Sequence, residues 1–264
     1  MGARGIPSVV AAVVVCLGLC VSLRAAPTAT LDLTTAGSWG LIGDARFEQY
    51  TGSHGAGTGH TEVFLVLQDK NHDGVEEAYN TDGSPLPLDA KERRHTNALL
   101  LSDVPVVYRD SVAYREFILD IAEKSSSHGR YLSLDQLMIS LHTDGRLTGS
   151  ASSVFSDAVY SLNPLGGPDD NWIKLNSRLS SGGGQVDMLA LIPDSLFNNP
   201  AGQYVYLYSK LGERICADGC EEEWSTRPGD HDGCHPKVPA PAAVLLAAFG
   251  AGLASSLRRR VFGS

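Results

Sequence analysis

The fold of this chain is decided by the stretch Arg115-Glu116-Phe117-Ile118-Leu119-Asp120-Ile121. Successive side chains of a β-strand point to opposite faces, so Phe117, Leu119 and Ile121 share one face. Glu116 and Asp120 lie on the other face. An apolar face backed by an acidic one predicts a strand that covers a core on one side.

Eight other short runs have strand-like composition and are separated by clusters of Gly, Asn, Asp, Ser and Pro. With the first run, the predicted strands cover residues 62–68, 98–101, 104–108, 115–121, 137–141, 153–162, 172–175, 186–192 and 203–211. No long helical pattern lies between them. We therefore predict an all-β fold, an antiparallel β-sandwich or jelly-roll-like domain. Helix is expected only at residues 195–198 and in the two terminal apolar segments.

The amino terminus has the pattern of a secretory signal peptide. Arg4 precedes an apolar stretch, residues 6–23, that is rich in Val, Ala and Leu. We assign residues 1–26 to this signal and expect the chain to be exported. An uncleaved anchor and a lipoprotein signal centred on Cys20 are the alternatives.

The carboxyl terminus has the pattern of a membrane-retention and processing signal. A proline-containing turn precedes an apolar run, residues 242–257, and a basic stop follows it. The turn and the stop consist of Val238, Pro239, Ala240, Pro241, Arg258, Arg259 and Arg260. A plain single-pass anchor is the alternative. The predicted organisation is a signal peptide at 1–26, a β-sandwich domain at 27–212, an acidic cysteine-containing stalk at 213–237 and a hydrophobic helical tail at 238–264.

The body of the chain is strongly acidic. The whole chain carries 21 Lys and Arg against 30 Asp and Glu. Five of the basic residues lie in the two terminal segments, which contain no acid, so 16 basic and 30 acidic residues remain, a formal charge of −14. This charge disfavours nucleic acid and anionic lipid as partners and is compatible with divalent cations and neutral polysaccharide.

One loop spaces oxygen ligands as a calcium site does. Asp69, Asn71 and Asp73 alternate before Gly74, and Glu77 follows four residues after Asp73. The loop differs from an EF-hand, because a predicted strand precedes it and Asn80 stands at the twelfth position. Two interpretations stay open, a strand-borne calcium site and an Asx-rich hairpin turn.

Three cysteines lie close together in the predicted stalk. Cys216, Cys220 and Cys234 are disulfide candidates, because export places these thiols in an oxidising compartment. An odd number leaves one thiol free or paired with another chain. Zinc binding together with His231 and His235, and an unpaired segment, are the alternatives.

Three tyrosines alternate along one predicted strand. Tyr204, Tyr206 and Tyr208 share a sheet face, and an exposed row of phenol rings is able to stack on sugar rings. The alternative is a row that forms half-buried core. Trp39 and Trp172 are isolated in the sequence and add no support to carbohydrate binding.

The sequence contains no motif that indicates catalysis. A nucleophile elbow, a zinc-protease motif, a phosphate loop and a dinucleotide fingerprint are all missing from it. The acid pairs Glu76-Glu77 and Asp169-Asp170 are adjacent in predicted turns, so neither supplies the opposed carboxyl groups of a glycosidase. We expect a protein that is not an enzyme.

The tail resembles the PEP-CTERM sorting signal of exosortase substrates, with Pro239-Ala240-Pro241 in place of Pro-Glu-Pro and Arg258-Arg259-Arg260 as the basic end. The stretch from Asp187 to Tyr208 is similar to the end of many exported proteins that bear this signal. The resemblance implies export, retention through the tail and cleavage near residues 239–241 by an exosortase-like membrane enzyme. It implies delivery to the cell envelope, the cell surface or an extracellular matrix.

Two hypotheses of function follow. The first is a non-catalytic surface or matrix protein whose β-sandwich is a structural or adhesive unit. The second is a calcium-assisted carbohydrate-binding module that uses the Asp69 loop and the tyrosine strand to bind polysaccharide. In both, the membrane is contacted through the tail, and nucleic acid is not a partner.

Overall fold

The computed structural model describes residues 29–52, 61–91, 94–123, 129–163, 167, 171–179, 186–198, 203–217 and 220–227. These residues form two β-sheets, of seven and eight strands, that pack face to face. The predicted all-β sandwich is confirmed. The predicted signal peptide and the predicted tail lie outside the described residues.

The first sheet contains one parallel strand pair, and its other pairs are antiparallel. Its main path runs β1 (Ala29–Asp32), β12 (Asn171–Asn176), β10 (Tyr131–His142), β14 (Tyr204–Leu211) and β5 (Glu76–Tyr79). Two short strands lie beside this path, β11 (Tyr160–Ser161) next to β10 and β7 (Leu99–Leu100) next to β14. The parallel pair is β1 with β12.

The second sheet is antiparallel throughout. Its path runs β2 (Trp39–Ile42), β3 (Ala45–Gln49), β13 (Met188–Pro193), β9 (Val112–Asp120), β15 (Glu222–Thr226), β4 (Glu62–Leu67) and β6 (Ala90–Lys91). A further strand, β8 (Val106–Arg109), forms a hairpin with β9. The edges of this sheet are therefore β2 and β6.

Helix is confined to short pieces. The described residues contain one α-helical turn, α1 (Ala151–Val154), and two 3-10 turns, Leu101–Asp103 and Asp194–Phe197. The second 3-10 turn agrees with the helix predicted at residues 195–198. Within the described ranges, none of the helices has the length and apolar character needed to cross a membrane.

The core lies between the two sheets and follows the alternation in β9. Phe117 and Leu119 are fully buried in it, and Trp224 of β15 lies directly opposite Leu119. Ile118 points to the other face of the same sheet, where it packs with Leu189 and other apolar side chains in a small outer cluster. The apolar residue within the acidic face of β9 thus also has packing partners.

The structure extends the domain beyond the predicted boundary at residue 212. β15 lies inside the range that the sequence analysis assigns to a stalk, and it pairs with both β9 and β4 in the interior of the second sheet. The acid-rich composition of this segment did not indicate a strand. In the structure its acids interact with other elements, since Glu221 forms an ion pair with Lys91 and Glu222 lies next to Glu76.

The predicted strand at residues 153–162 is only partly correct. Its first residues belong to α1 and its last residues to β11. The other eight predicted runs each overlap a strand. β1, β2, β3, β5, β6 and β15 were not predicted.

Candidate functional site

The Asp69 loop, defined as residues 69–77, joins β4 of the second sheet to β5 of the first. It therefore crosses from one layer of the sandwich to the other. The predicted hairpin is not formed, because the strands on either side of the loop belong to different sheets. The turn itself is rich in Asx residues, and His72 and Gly74 both have positive φ, 59° and 81°.

The Asp69 carboxylate binds the backbone of its own loop. Its Oδ1 atom accepts the N–H groups of Asn71, His72 and Asp73 at 3.1, 2.5 and 3.3 Å, and Oδ2 accepts that of Gly74 at 2.9 Å. Burial acts to raise the pKa of Asp69, but these four donors outweigh it and lower the pKa below its ordinary value. Contacts of this kind, from backbone N–H groups of the loop to an Asp carboxylate, are those of an Asx-rich turn.

The other three predicted calcium ligands do not converge on one point: two of them bind separate partners and the third is exposed. Asp73 Oδ1 accepts the N–H of Val75 at 3.0 Å, Glu77 Oε2 accepts the hydroxyl of Tyr208 at 2.5 Å, and Asn71 is exposed. Across the ranges that the structure describes, no group of three or more His, Cys, Asp and Glu side chains is placed to hold a metal ion. Calcium binding at the loop stays a prediction.

A buried pair of glutamates lies beside the loop and joins the two sheets. Glu76 of β5 and Glu222 of β15 both face the core and are fully buried. Their carboxyl groups interact with each other, and Glu76 Oε1 also accepts the N–H of Asp69 at 3.1 Å.

Burial is the main cause of the raised pKa of both glutamates. The neighbouring Glu76 carboxyl raises the pKa of Glu222 further. The contacts of Glu76 with Glu222 and with the Asp69 amide oppose the shift of Glu76, whose pKa is still raised. Glu222 was not predicted as a buried residue, although its position two residues before Trp224 places it on the core side of a strand.

The cysteine segment packs against the Asp69 loop. The N–H of Ala217 donates to the carbonyl of Gly74 at 2.9 Å. A Cβ atom on Gly74 would lie 3.0 Å from Cβ of Cys216, so glycine fits where the two segments meet. Cys216 is exposed and its thiol is free, and Cys220 is partly buried. Cys234 lies outside the described residues, so a disulfide to it stays a prediction.

The tyrosine row is covered instead of exposed. Residues 143–159, which include α1, lie over the outer face of the first sheet and pack with the tyrosines in one apolar cluster. Tyr206 is fully buried, accepts the N–H of Leu147 at 2.9 Å and donates to the carbonyl of Asp144 at 2.8 Å. Tyr208 is also buried and Tyr204 is partly buried. This burial agrees with the alternative in which the tyrosine row forms part of a core and is not an exposed binding surface.

An exposed aromatic surface is found on the opposite sheet. Trp39 and Leu41 project from the outer face of the edge strand β2 and are 54% and 59% exposed. The alternate residue Gly40 faces inward, because a Cβ atom there would lie 2.5 Å from Leu31. We name Trp39, Leu41 and the underlying Arg46 the Trp39 platform.

A network of ion pairs holds the platform. The guanidinium carbon of Arg46 lies 3.9 Å from the centroid of the Trp39 ring. Arg46 in turn pairs with Glu48 at 2.5 Å and with Asp110 at 2.8 Å, and Arg109 pairs with Glu48 at 3.3 Å. This site was not predicted from the sequence, because its members come from three separate segments. The signal was the alternation of Trp39 and Leu41 about an inward Gly40.

Comparison with known proteins does not assign this chain to a family. No known protein family matches the chain, and neither a curated protein nor a solved structure is significantly similar to it.

Proposed function

We propose that this chain is an exported, non-catalytic protein that is sorted to the cell surface or an extracellular matrix through its C-terminal signal. Its β-sandwich is the structural or adhesive unit that is displayed there. One observation carries the proposal. The strands of the two sheets are distributed from Ala29 to Thr226, within the interval between the predicted signal peptide and the predicted tail.

The packing of the tyrosine row and of the Asp69 loop supports a structural role. The tyrosine row is packed under residues 143–159, and the Asp69 carboxylate is engaged by its own loop. The two features that suggested a calcium-assisted carbohydrate site therefore have structural partners. A surface role is left to the outer faces and the edges of the sheets, where the Trp39 platform lies.

A reporter fusion tests the sorting signal. Residues 238–264 are attached to an exported reporter, and a matched fusion carries Pro239→Ala and Pro241→Ala. We expect the first reporter to be retained by the cell and its mature form to end near residues 239–241, as measured by mass spectrometry. The matched fusion is expected to be retained but to keep its terminal arginines, because only the processing turn is altered.

Two outcomes contradict the proposal. Secretion of the reporter despite the tail contradicts retention. A retained reporter that keeps Arg258, Arg259 and Arg260 in the unaltered fusion indicates a plain single-pass anchor.

A further inference from the structure

The Trp39 platform combines exposure with rigidity. Single exposed apolar residues are common, but here two large ones lie side by side on one strand face. Successive residues on the same face of a strand are separated by about 7 Å. Trp39 and Leu41 thus offer one continuous apolar surface at the edge of the second sheet.

One face of the Trp39 ring is free. Arg46 stacks on the ring at 3.9 Å and covers one face, while the residue as a whole stays 54% exposed. The opposite face is therefore the part that meets solvent. Because Arg46 is fixed by Glu48 and Asp110, the ring is held in one orientation before any ligand arrives.

The charged side chains around the platform, which we call its rim, favour a neutral ligand with hydroxyl groups. Arg46 and Arg109 are matched by Glu48 and Asp110, so the site has hydrogen-bonding groups but no excess charge. The acidic body, with a formal charge of −14, repels anionic polymers and a second copy of itself. A sugar ring has a flat C–H face for the indole and hydroxyl groups for the rim.

We propose that the Trp39 platform binds a neutral sugar residue of a polysaccharide, with the free face of Trp39 stacked on the sugar ring. Leu41 contacts the neighbouring residue of the polymer, and Arg46 positions the indole. This inference rests on the adhesive role proposed above and names its partner. It places carbohydrate recognition on β2, away from the covered tyrosine row and the Asp69 loop.

Tryptophan fluorescence of the full-length chain in detergent tests the inference. The probes are neutral hexasaccharides of glucose, mannose and galactose, and hexagalacturonate is the anionic comparison. Acrylamide quenching reports mainly on Trp39, because Trp224 is fully buried and Trp172 is partly buried. We expect at least one neutral hexasaccharide to protect the fluorescence in a saturable way that is unaffected by chelator.

The variant Trp39→Ala is expected to weaken binding of that hexasaccharide about tenfold or more in calorimetric titration, because an anchor residue is removed. Leu88→Ala is the matched control, since Leu88 is 45% exposed next to β6 at the opposite edge of the sheet. The control is expected to bind as the wild type does. Circular dichroism verifies that both variants are folded.

Three results would overturn the inference. They are the lack of protection by all three neutral probes, unchanged binding in Trp39→Ala, and self-association of the chain that Trp39→Ala abolishes. The last result identifies the platform as an interface between copies of the chain. Retention through the tail is a separate property, so either proposal is able to fail without the other.

Discussion

Glu222 illustrates how a single residue couples the two sheets. It is fully buried, belongs to the second sheet and interacts with the buried Glu76 of the first. A carboxylic acid that must stay protonated in the core favours the folded state at low pH. The raised pKa of Glu222 therefore contributes stability below the pKa of the unfolded chain, and that contribution is lost as the pH rises.

Substitution Glu222→Gln tests this coupling. Glutamine keeps the volume and a donor for Glu76 but cannot ionise. We expect the free energy of unfolding to exceed that of the wild type by about 1 kcal/mol or more at pH 8, and to differ little near pH 5. Urea unfolding at the two pH values measures the difference. Glu62→Gln on the exposed start of β4 is the control, and an identical pH dependence in Glu222→Gln and wild type contradicts the assignment.

The contacts of Asp69 and of Trp39 could not be predicted from the sequence. The spacing of Asp69, Asn71 and Asp73 predicted either a calcium loop or an Asx-rich turn, because both use the same residue types. Only the positions of the backbone amides around Asp69 reveal which atoms its oxygens bind. The Trp39 ring is exposed, but its support by Arg46 depends on contacts that no local pattern encodes.

At the scale of elements, strands with strong alternation were predicted and short or acidic ones were not. The long strands β9, β10 and β14 all overlap predicted runs. The β2–β3 hairpin was missed, although Gly43-Asp44 between two apolar runs is a hairpin signal and Gly43 has a φ of 59°. β15 was missed because its acids dominate the composition, and their pairing is a tertiary property.

The corrected role of β15 makes a strong prediction about Trp224. This side chain is fully buried between the sheets, opposite Leu119 and Leu65. Trp224→Ala is expected to lower the free energy of unfolding by about 3–5 kcal/mol, because it leaves a large cavity. Trp172→Ala, at a partly exposed position, is expected to cost clearly less. Urea unfolding of both variants measures the loss in free energy of unfolding. Equally small losses would contradict the burial of Trp224 and would agree with the predicted stalk.

At the scale of the whole molecule, buried acids set the pH dependence of stability. Burial is the main cause of the raised pKa of Glu76, Asp89, Glu116, Asp120 and Glu222. For Asp120, burial together with the charge of Glu223 raises the pKa to about 7. The opposite effect is found at Asp69 and at Asp32, whose pKa is lowered mainly by a hydrogen bond from Thr34.

These pKa shifts predict the pH at which the fold is most stable. The acids with raised pKa stabilise the fold fully below their unfolded pKa, and this contribution is lost as the pH rises toward and past about 7. Asp69 and Asp32 act in the other direction, since their contribution is lost as the pH falls below about 4. We expect the melting temperature to be highest near pH 5 and to fall steadily to pH 8. A maximum at or above pH 8 in calorimetry contradicts this account.

The whole chain combines an acidic β-sandwich with two terminal segments that the sequence assigns to export and retention. The most direct measurement is fractionation of cells that express either the full chain or a chain without residues 238–264. We predict that the full chain is found with the cell envelope or the surface matrix, and that the shortened chain is released as folded, soluble protein into the medium. Equal retention of the two chains would contradict sorting through the tail.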